Sequence, residues 1–173
     1  MTEDNSVRTS EPRTAVVIIA STRAAGGVYP DRTGPLIQDW LTARGFVVHG
    51  PLVRADGPDV GIALRDGIGA DLIITSGGTG ISPTDRTPQA TAEILDYEIP
   101  GLAAAIRAEG SDKVPTAVLS RGLAGVSGRT LVINLPGSPK AAAESLDAVA
   151  PLLHHAIETL AGPFDHGSRE EAS

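Results

Sequence analysis

The sequence predicts an α/β protein, a three-layer sandwich built on a mainly parallel central sheet, and three observations carry that expectation. Short runs rich in β-branched residues, at 14–20 (TAVVIIA), 71–75 (DLIIT) and 130–135 (TLVINL), have the near-continuous apolar character of strands buried on both faces. Between them lie segments whose apolar residues recur at helical spacing. Strands and helices alternate, the pattern that covers both faces of a parallel sheet with helices. A chain of 173 residues suits one domain with its own core. That domain is expected over residues 14–161. Residues 1–13 and 162–173, polar and poor in apolar surface, are expected to be a disordered and a flexible tail.

The elements follow in order. After the first strand come Ser21, Thr22 and Arg23, at the strand tip where ligands of open α/β sheets gather. Leu36, Ile37, Trp40 and Leu41 form a one-sided apolar stripe over 35–43, so the single tryptophan is expected to pack. Gly45 ends that helix, a strand begins at 46–48, and His49 at its end carries no evident role. Residues 52–55 lead into Asp56, which reads as the N-cap of a helix carrying Val60, Ala63, Leu64 and Ile68, with Asp59 at its amino end. The strand at 71–75 opens into Ser76, Gly77, Gly78, Thr79 and Gly80. Three glycines in four positions allow positive φ and close approach to bare N–H groups, a cradle for phosphate or, more plainly, a tight turn. The ten-residue loop continues through Asp85 to Thr87 and Pro88, read as N-cap and first position of a helix over 87–95.

A second short helix is expected over 101–108, a strand over 115–119, a glycine-rich connector over 122–128, and the last strand over 130–135. That strand delivers Pro136, Gly137, Ser138, Pro139 and Lys140 to a helix start: Ser138 can cap, Pro139 needs no N–H, and Lys140 adds charge to exposed amides that suit an anion. Leu146, Val149, Leu153, Ala156, Ile157 and Leu160 then mark one amphipathic face, which Pro151 is expected to kink or split. His154 and His155, adjacent and so divergent, make a poor metal pair.

Composition narrows the chemistry. Apolar residues make up 41% of the chain and aromatics 3%, so the core must come from Val, Ile, Leu and Ala. Zero cysteines exclude disulfides and thiolate metal sites, leaving a hard cation held by oxygens. A net charge of −7 disfavours nucleic acid as a partner but leaves room for a small anionic substrate met by a few local cations. No run of 18 apolar residues and no leader-like start are present, so no membrane partner and a cytoplasmic location are expected. Carboxylates among phosphate-binding amides would repel the ligand; a divalent cation between them makes the set coherent.

The run TSGGTGISPTDRTPQAT at 75–91, with IPG at 99–101 and NLPGSPK at 134–140, resembles the Mog/MoaB family of molybdenum cofactor biosynthesis proteins. The likeness covers roughly residues 14–160, with the motifs in the family's order. It implies the family's three-layer fold and, for Mog-type enzymes such as the matching domain of gephyrin, a reaction. In that reaction AMP passes from Mg-ATP to the terminal phosphate of molybdopterin and pyrophosphate leaves. Carried over, the resemblance implies that Asp56 and Asp85 are catalytic and hold Mg2+. It implies that Ser76, Gly77, Gly78, Thr79 and Gly80 cradle phosphate, and that Ser21, Arg23, Asn134, Pro136, Gly137, Ser138 and Lys140 hold pterin or nucleotide. Asp59 rivals Asp56, because family members often have Pro-Asp where this chain has Ala55-Asp56. A homotrimer or higher homo-oligomer is implied as well. Two other readings stand beside this one. One is a non-catalytic molybdopterin-binding MoaB-type protein; the other is a hydrolase-like domain of the competence-damage type, which usually carries an extra domain for which this length leaves no room.

Overall fold

Three strands buried along nearly their whole length form the middle of the sheet: β1 (Thr14–Ala20), β3 (Leu72–Ser76) and β6 (Thr130–Leu135). In the computed structural model, which describes residues 11–162, they are joined by β2 (Val47–Arg54), β4 (Tyr97–Glu98) and β5 (Ala124–Ser127) in the order β2-β1-β3-β6-β5-β4. The pairs β1–β2, β1–β3 and β3–β6 are parallel, whereas β5 runs antiparallel to both β6 and β4.

Alternation of side chains along the parallel strands explains the two outer layers. Ala15, Val17 and Ile19 of β1 point, with Leu72, Ile74, Leu131 and Ile133, into one core. That core is closed by α2 (Thr33–Thr42), α5 (Pro100–Ser111) and α6 (Pro139–Ala161). Val16, Ile18 and Ala20 point to the other side, with Ile73 and Val132, where Val60, Ala63 and Leu64 of α3 (Pro58–Gly67) cover them. Ala90, of α4 (Thr87–Ala92), packs against the same side. Trp40 packs against the first core while its Nε1 donates to Asp147.

Several local expectations are corrected. Residues 115–119 form a 3-10 helix (Pro115–Leu119) with no buried residue, and the strand expected there is β5, inside the segment read as a connector. Gly125 permits it: a Cβ there would lie 2.5 Å from the Tyr97 carbonyl oxygen, so the sheet closes only over a bare backbone. β2 runs straight through His49, which is exposed on an edge strand. The helix after the glycine loop begins at Thr87 with Arg86 as its N-cap, so Thr87 is not the cap. Pro151 does not split α6, which is continuous for 23 residues; the proline sits on its exposed side, where a carbonyl left without an N–H partner can turn to water. The expected tails fall mostly outside the described residues. Arg13, however, is tied down, its carbonyl accepting from Val47 N–H and its guanidinium reaching Glu158.

Candidate active site

The chain leaves β1 toward β2 on one side of the sheet, and β3 pairs with β6 on the other. The carboxyl ends of β1 and β3 therefore flank a topological switch point, where α/β sheets bind ligands. The strand tips are laced together there. Gly77 N–H donates to Leu135 O (3.1 Å), Ser76 Oγ to Pro136 O (2.7 Å) and Thr33 Oγ1 to Gly137 O (3.0 Å). Gly77 has φ +92°, and any Cβ on it would strike the Ala20 carbonyl, so glycine is required for the β3 loop to meet the β1 tip. Beyond it, among the described residues, the N–H groups of Gly78, Thr79 and Gly80 donate to no protein acceptor. Three bare amides in a row are what an anion needs.

Both predicted acids reach this loop, one on each flank. A Cβ on Gly78 (φ +66°) would collide with Asp56 Oδ2 and Thr87 Oγ1, and one on Gly80 would lie 2.7 Å from Asp85 Oδ2. Asp56 is not the N-cap of α3, a place taken by Gly57 without any side-chain bond. Its carboxylate turns instead to the start of α4, accepting from Arg86 N–H (3.2 and 3.3 Å) and from Thr87 Oγ1 (3.5 Å). These bonds are long, leaving acceptor capacity unspent. Among the described residues, the Asp85 carboxylate accepts only from Ser82 N–H (3.1 Å). Asp59 is exposed in the first turn of α3 and does not line the Asp56 cleft, so Asp56 is the acid that faces the loop.

Partial burial pushes the Asp56 carboxyl above its ordinary value, and the nearby charge of Asp85 adds to the rise; the N–H groups of Arg86 and Gly57 and the Thr87 hydroxyl pull the other way. Burial leads the rise, and a cation placed between the two carboxylates would favour their ionised forms. Among the described residues no cluster of three or more His, Asp or Glu side chains could cage a metal alone. Magnesium does not ask for one, since one or two carboxylates plus substrate phosphates are its usual donor set. Asp56 and Asp85 fit that requirement.

The remaining predicted residues divide. Asp56 opens onto a cleft of about 620 Å³ between α3 and α4, lined also by Thr22, Thr84, Arg86 and Gln89. Ser21 and Gly137 line a second cleft with Tyr29 and Asp31, and Pro136 and Ser138 line a third with Ser120 and Ser145. Ser21 caps the short helix α1 (Thr22–Ala25), on which Arg23 lies exposed with its guanidinium 5.9 Å from the Tyr29 ring centroid. Ser138 caps α6 as expected, accepting from Ala141 N–H (3.3 Å), and Lys140 is exposed beside it. Asn134 is not brought to any cleft. It is 3% exposed, its Nδ2 donates to Thr75 Oγ1 and Thr91 Oγ1, and its Oδ1 accepts from Leu123 N–H, so both its donors and its oxygen are engaged internally.

Sequence reasoning missed Arg121. Its N–H donates to Thr79 O (2.8 Å), its Nε to Gly80 O (2.7 Å) and its Nη2 to Asp85 O (2.8 Å). An arginine just past an expected strand, ahead of a glycine-rich connector, carries no local signal for such a role; only the partners, some forty residues away, reveal it.

Comparison with known proteins agrees with this arrangement. A sequence family described as "Probable molybdopterin binding domain" matches residues 16–155. A molybdopterin adenylyltransferase of Helicobacter pylori strain J99 is 37% identical over 155 residues, covering 86% of this chain and 88% of that protein. A molybdenum cofactor biosynthesis bifunctional protein of Synechococcus elongatus is 38% identical over 157 residues, but this chain spans only 49% of its length. Among solved structures, the molybdopterin biosynthesis Mog protein of Mycobacterium ulcerans superposes with a TM-score of 0.83 at 57% identity, covering 86% of this chain and 99% of that one. The molybdopterin biosynthesis enzyme MoaB of Thermus thermophilus does so with a TM-score of 0.79 at 46% identity, covering 88% and 98%. The chain belongs to the Mog/MoaB family of molybdopterin-binding domains of molybdenum cofactor biosynthesis.

Proposed function

We propose that this protein is a molybdopterin adenylyltransferase. A terminal phosphate oxygen of molybdopterin attacks the α-phosphorus of ATP, a new P–O–P bridge forms, the bond from the α-phosphorus to the bridging oxygen of the β-phosphate breaks, and pyrophosphate leaves. The observation that carries this reading is the convergence of Asp56 and Asp85 on either side of a glycine loop with three unengaged amides. Relatives named molybdopterin adenylyltransferase support it.

Transfer at phosphorus asks a protein for alignment and charge neutralisation more than for covalent work. The amides of Gly78, Thr79 and Gly80 donate to phosphate oxygens, fixing the reacting group against the β1–β3 crevice. Asp56 and Asp85 would hold Mg2+, which when bound neutralises phosphate charge and orients the α-phosphate. Ser21, Arg23, Gly137, Ser138 and Lys140, ringed about the same end of the sheet, would bind pterin or nucleotide, while Asn134 braces β6 against β3 and α4 from below. The working assembly in this reading is a homotrimer. Val114, Val118 and Leu119, each about half or more exposed around the 3-10 helix, offer apolar surface for it. A cytoplasmic location belongs to the same reading, since ATP is its substrate; among the described residues no helix is long and apolar enough to cross a membrane.

The test is incubation with Mg-ATP and molybdopterin, followed by detection of adenylylated pterin and pyrophosphate. Product is expected from the wild type. The Asp85→Asn variant should make none while binding molybdopterin within a few-fold of the wild type. Molybdopterin binding without product by the wild type would make this a carrier of the MoaB type, and hydrolysis of a nucleotide pyrophosphate in its place would make it a hydrolase.

A further inference from the structure

The segment that separates the glycines from Asp85, residues 81–84, is exposed throughout and follows a loop chosen for backbone freedom. Its own bonds shape it without placing it: Asp85 N–H donates to Ser82 O (2.9 Å) and the Ser82 and Thr84 hydroxyls lie 3.0 Å apart, all within residues 82–85. Among the described residues the Asp85 carboxylate bonds only to Ser82 N–H, inside the same segment, so that contact moves with the loop rather than anchoring it. On the far side the chain is secured at Arg86 and Thr87 by Asp56, and by Thr87 N–H donating to Gly78 O (3.2 Å). The remaining restraint is Arg121. Its backbone N–H holds Thr79 O, while two donors of its planar guanidinium take the carbonyls of Gly80 and Asp85, one at each end of the exposed segment. Arginine suits this task because its donors are set in a rigid fork; a lysine ammonium is a single point at the end of a flexible stem.

We propose that Arg121 is the positioning residue for Asp85. By clipping the two ends of residues 81–84 together, it sets the carboxylate at the distance from Asp56 that a shared cation requires, without itself touching substrate. The proposal rests on the AMP-transfer reading above and deepens it: the loop is stiff where Arg121 grips it and exposed between, so cation affinity and turnover depend on a side chain that reaches the loop only through its carbonyls.

The experiment measures Mg2+-dependent ATP binding by calorimetry, AMP-transfer kinetics and thermal unfolding for Arg121→Ala, Arg121→Lys, Asp85→Asn and the double variant Arg121→Ala/Asp85→Asn. Displacing a reacting group by about 1 Å costs on the order of 10²-fold. Arg121→Ala should therefore lower kcat by about that factor and raise the half-saturating Mg2+ about tenfold, with KM for molybdopterin changed by no more than about threefold. Arg121→Lys, able to serve one carbonyl at a time, should fall between at an unchanged unfolding temperature. In the Asp85→Asn background, Arg121→Ala should bring no further change in Mg2+ dependence, because residues acting in one unit are not additive. A lowered unfolding temperature with kcat and Mg2+ dependence intact would overturn the proposal, as would an equal Mg2+ effect with and without Asp85. If Arg121→Ala does not fold, Arg121→Lys decides: full kcat and wild-type Mg2+ dependence refute it. A wild type that binds Mg-ATP but transfers no AMP sinks the transferase reading alone, and the binding measurements still judge Arg121.

Discussion

Two strand-to-helix junctions at the same end of the sheet look alike in sequence and differ in construction. The junction after β6 is a local device: Ser138 caps α6 through Ala141 N–H, and Pro139 takes the first helical position. The junction after β3 is assembled from a distance. Its helix α4 has no side-chain cap of its own, and the carboxylate that meets Arg86 N–H belongs to Asp56, thirty positions earlier. Arg121 holds its carbonyls from the other direction. A locally capped helix start needs nothing else to form; a loop held by two remote residues can be tuned, and the two acids lie at the tuned one.

That contrast sets the order of expected effects. Gly78→Ala should do most damage, because a side chain there meets positive φ, Asp56 and Thr87 together. AMP transfer should fall by about 10²-fold or more, with a stability loss of about 1–3 kcal/mol read by denaturant unfolding. Survival of activity would mean that the acids do not depend on that close approach. Asn134→Ala should cost roughly 3 kcal/mol, since Thr75, Thr91 and the Leu123 N–H all lose a buried partner. KM for molybdopterin should barely move; a large rise would return Asn134 to the ligand.

The pH prediction follows from the direction of the Asp56 shift. A carboxyl whose folded pKa is raised favours its neutral form, so its contribution to stability is present below the unfolded value of 3.8 and is lost as pH rises through the folded pKa. Without Mg2+, Asp56→Asn should therefore gain stability over the wild type as pH rises above 3.8, with no gain at lower pH. The acid limb of kcat/KM should likewise lie above 3.8 and move down with added Mg2+, as cation and proton compete for the carboxylate. The smallest effect is assigned to the local junction. Ser138→Ala should cost about 1 kcal/mol of stability, the usual loss of an N-cap, and a few-fold in turnover at most.

The same contrast explains how far the sequence could be read. β1, β3 and β6 were legible because strands buried on both faces are apolar throughout, and α2, α3 and α6 because a half-buried helix must show its stripe. The acids were found through resemblance, and the choice between Asp56 and Asp59 needed the fold. β5 was hidden because Gly125 answers to Tyr97 across the sheet rather than to strand propensity. The apolar run Pro115–Leu119 misled for the opposite reason: β-branched residues on an exposed 3-10 helix have the composition of a strand without its burial. Asn134 sat within a ligand-like motif yet is consumed by internal bonds, and Arg121 sat within no motif at all. Contacts formed across forty residues leave no period or spacing to detect.

The account stands on Asp56 and Asp85 working as one unit across the glycine loop. AMP transfer to molybdopterin should be measured at saturating Mg-ATP for Asp56→Asn, Asp85→Asn and the variant carrying both. Each single substitution is expected to bring turnover down to within a few-fold of the double variant, as for groups that act together. Wild-type turnover in either single variant, or losses that multiply in the double, would show that the two carboxylates do not share a task.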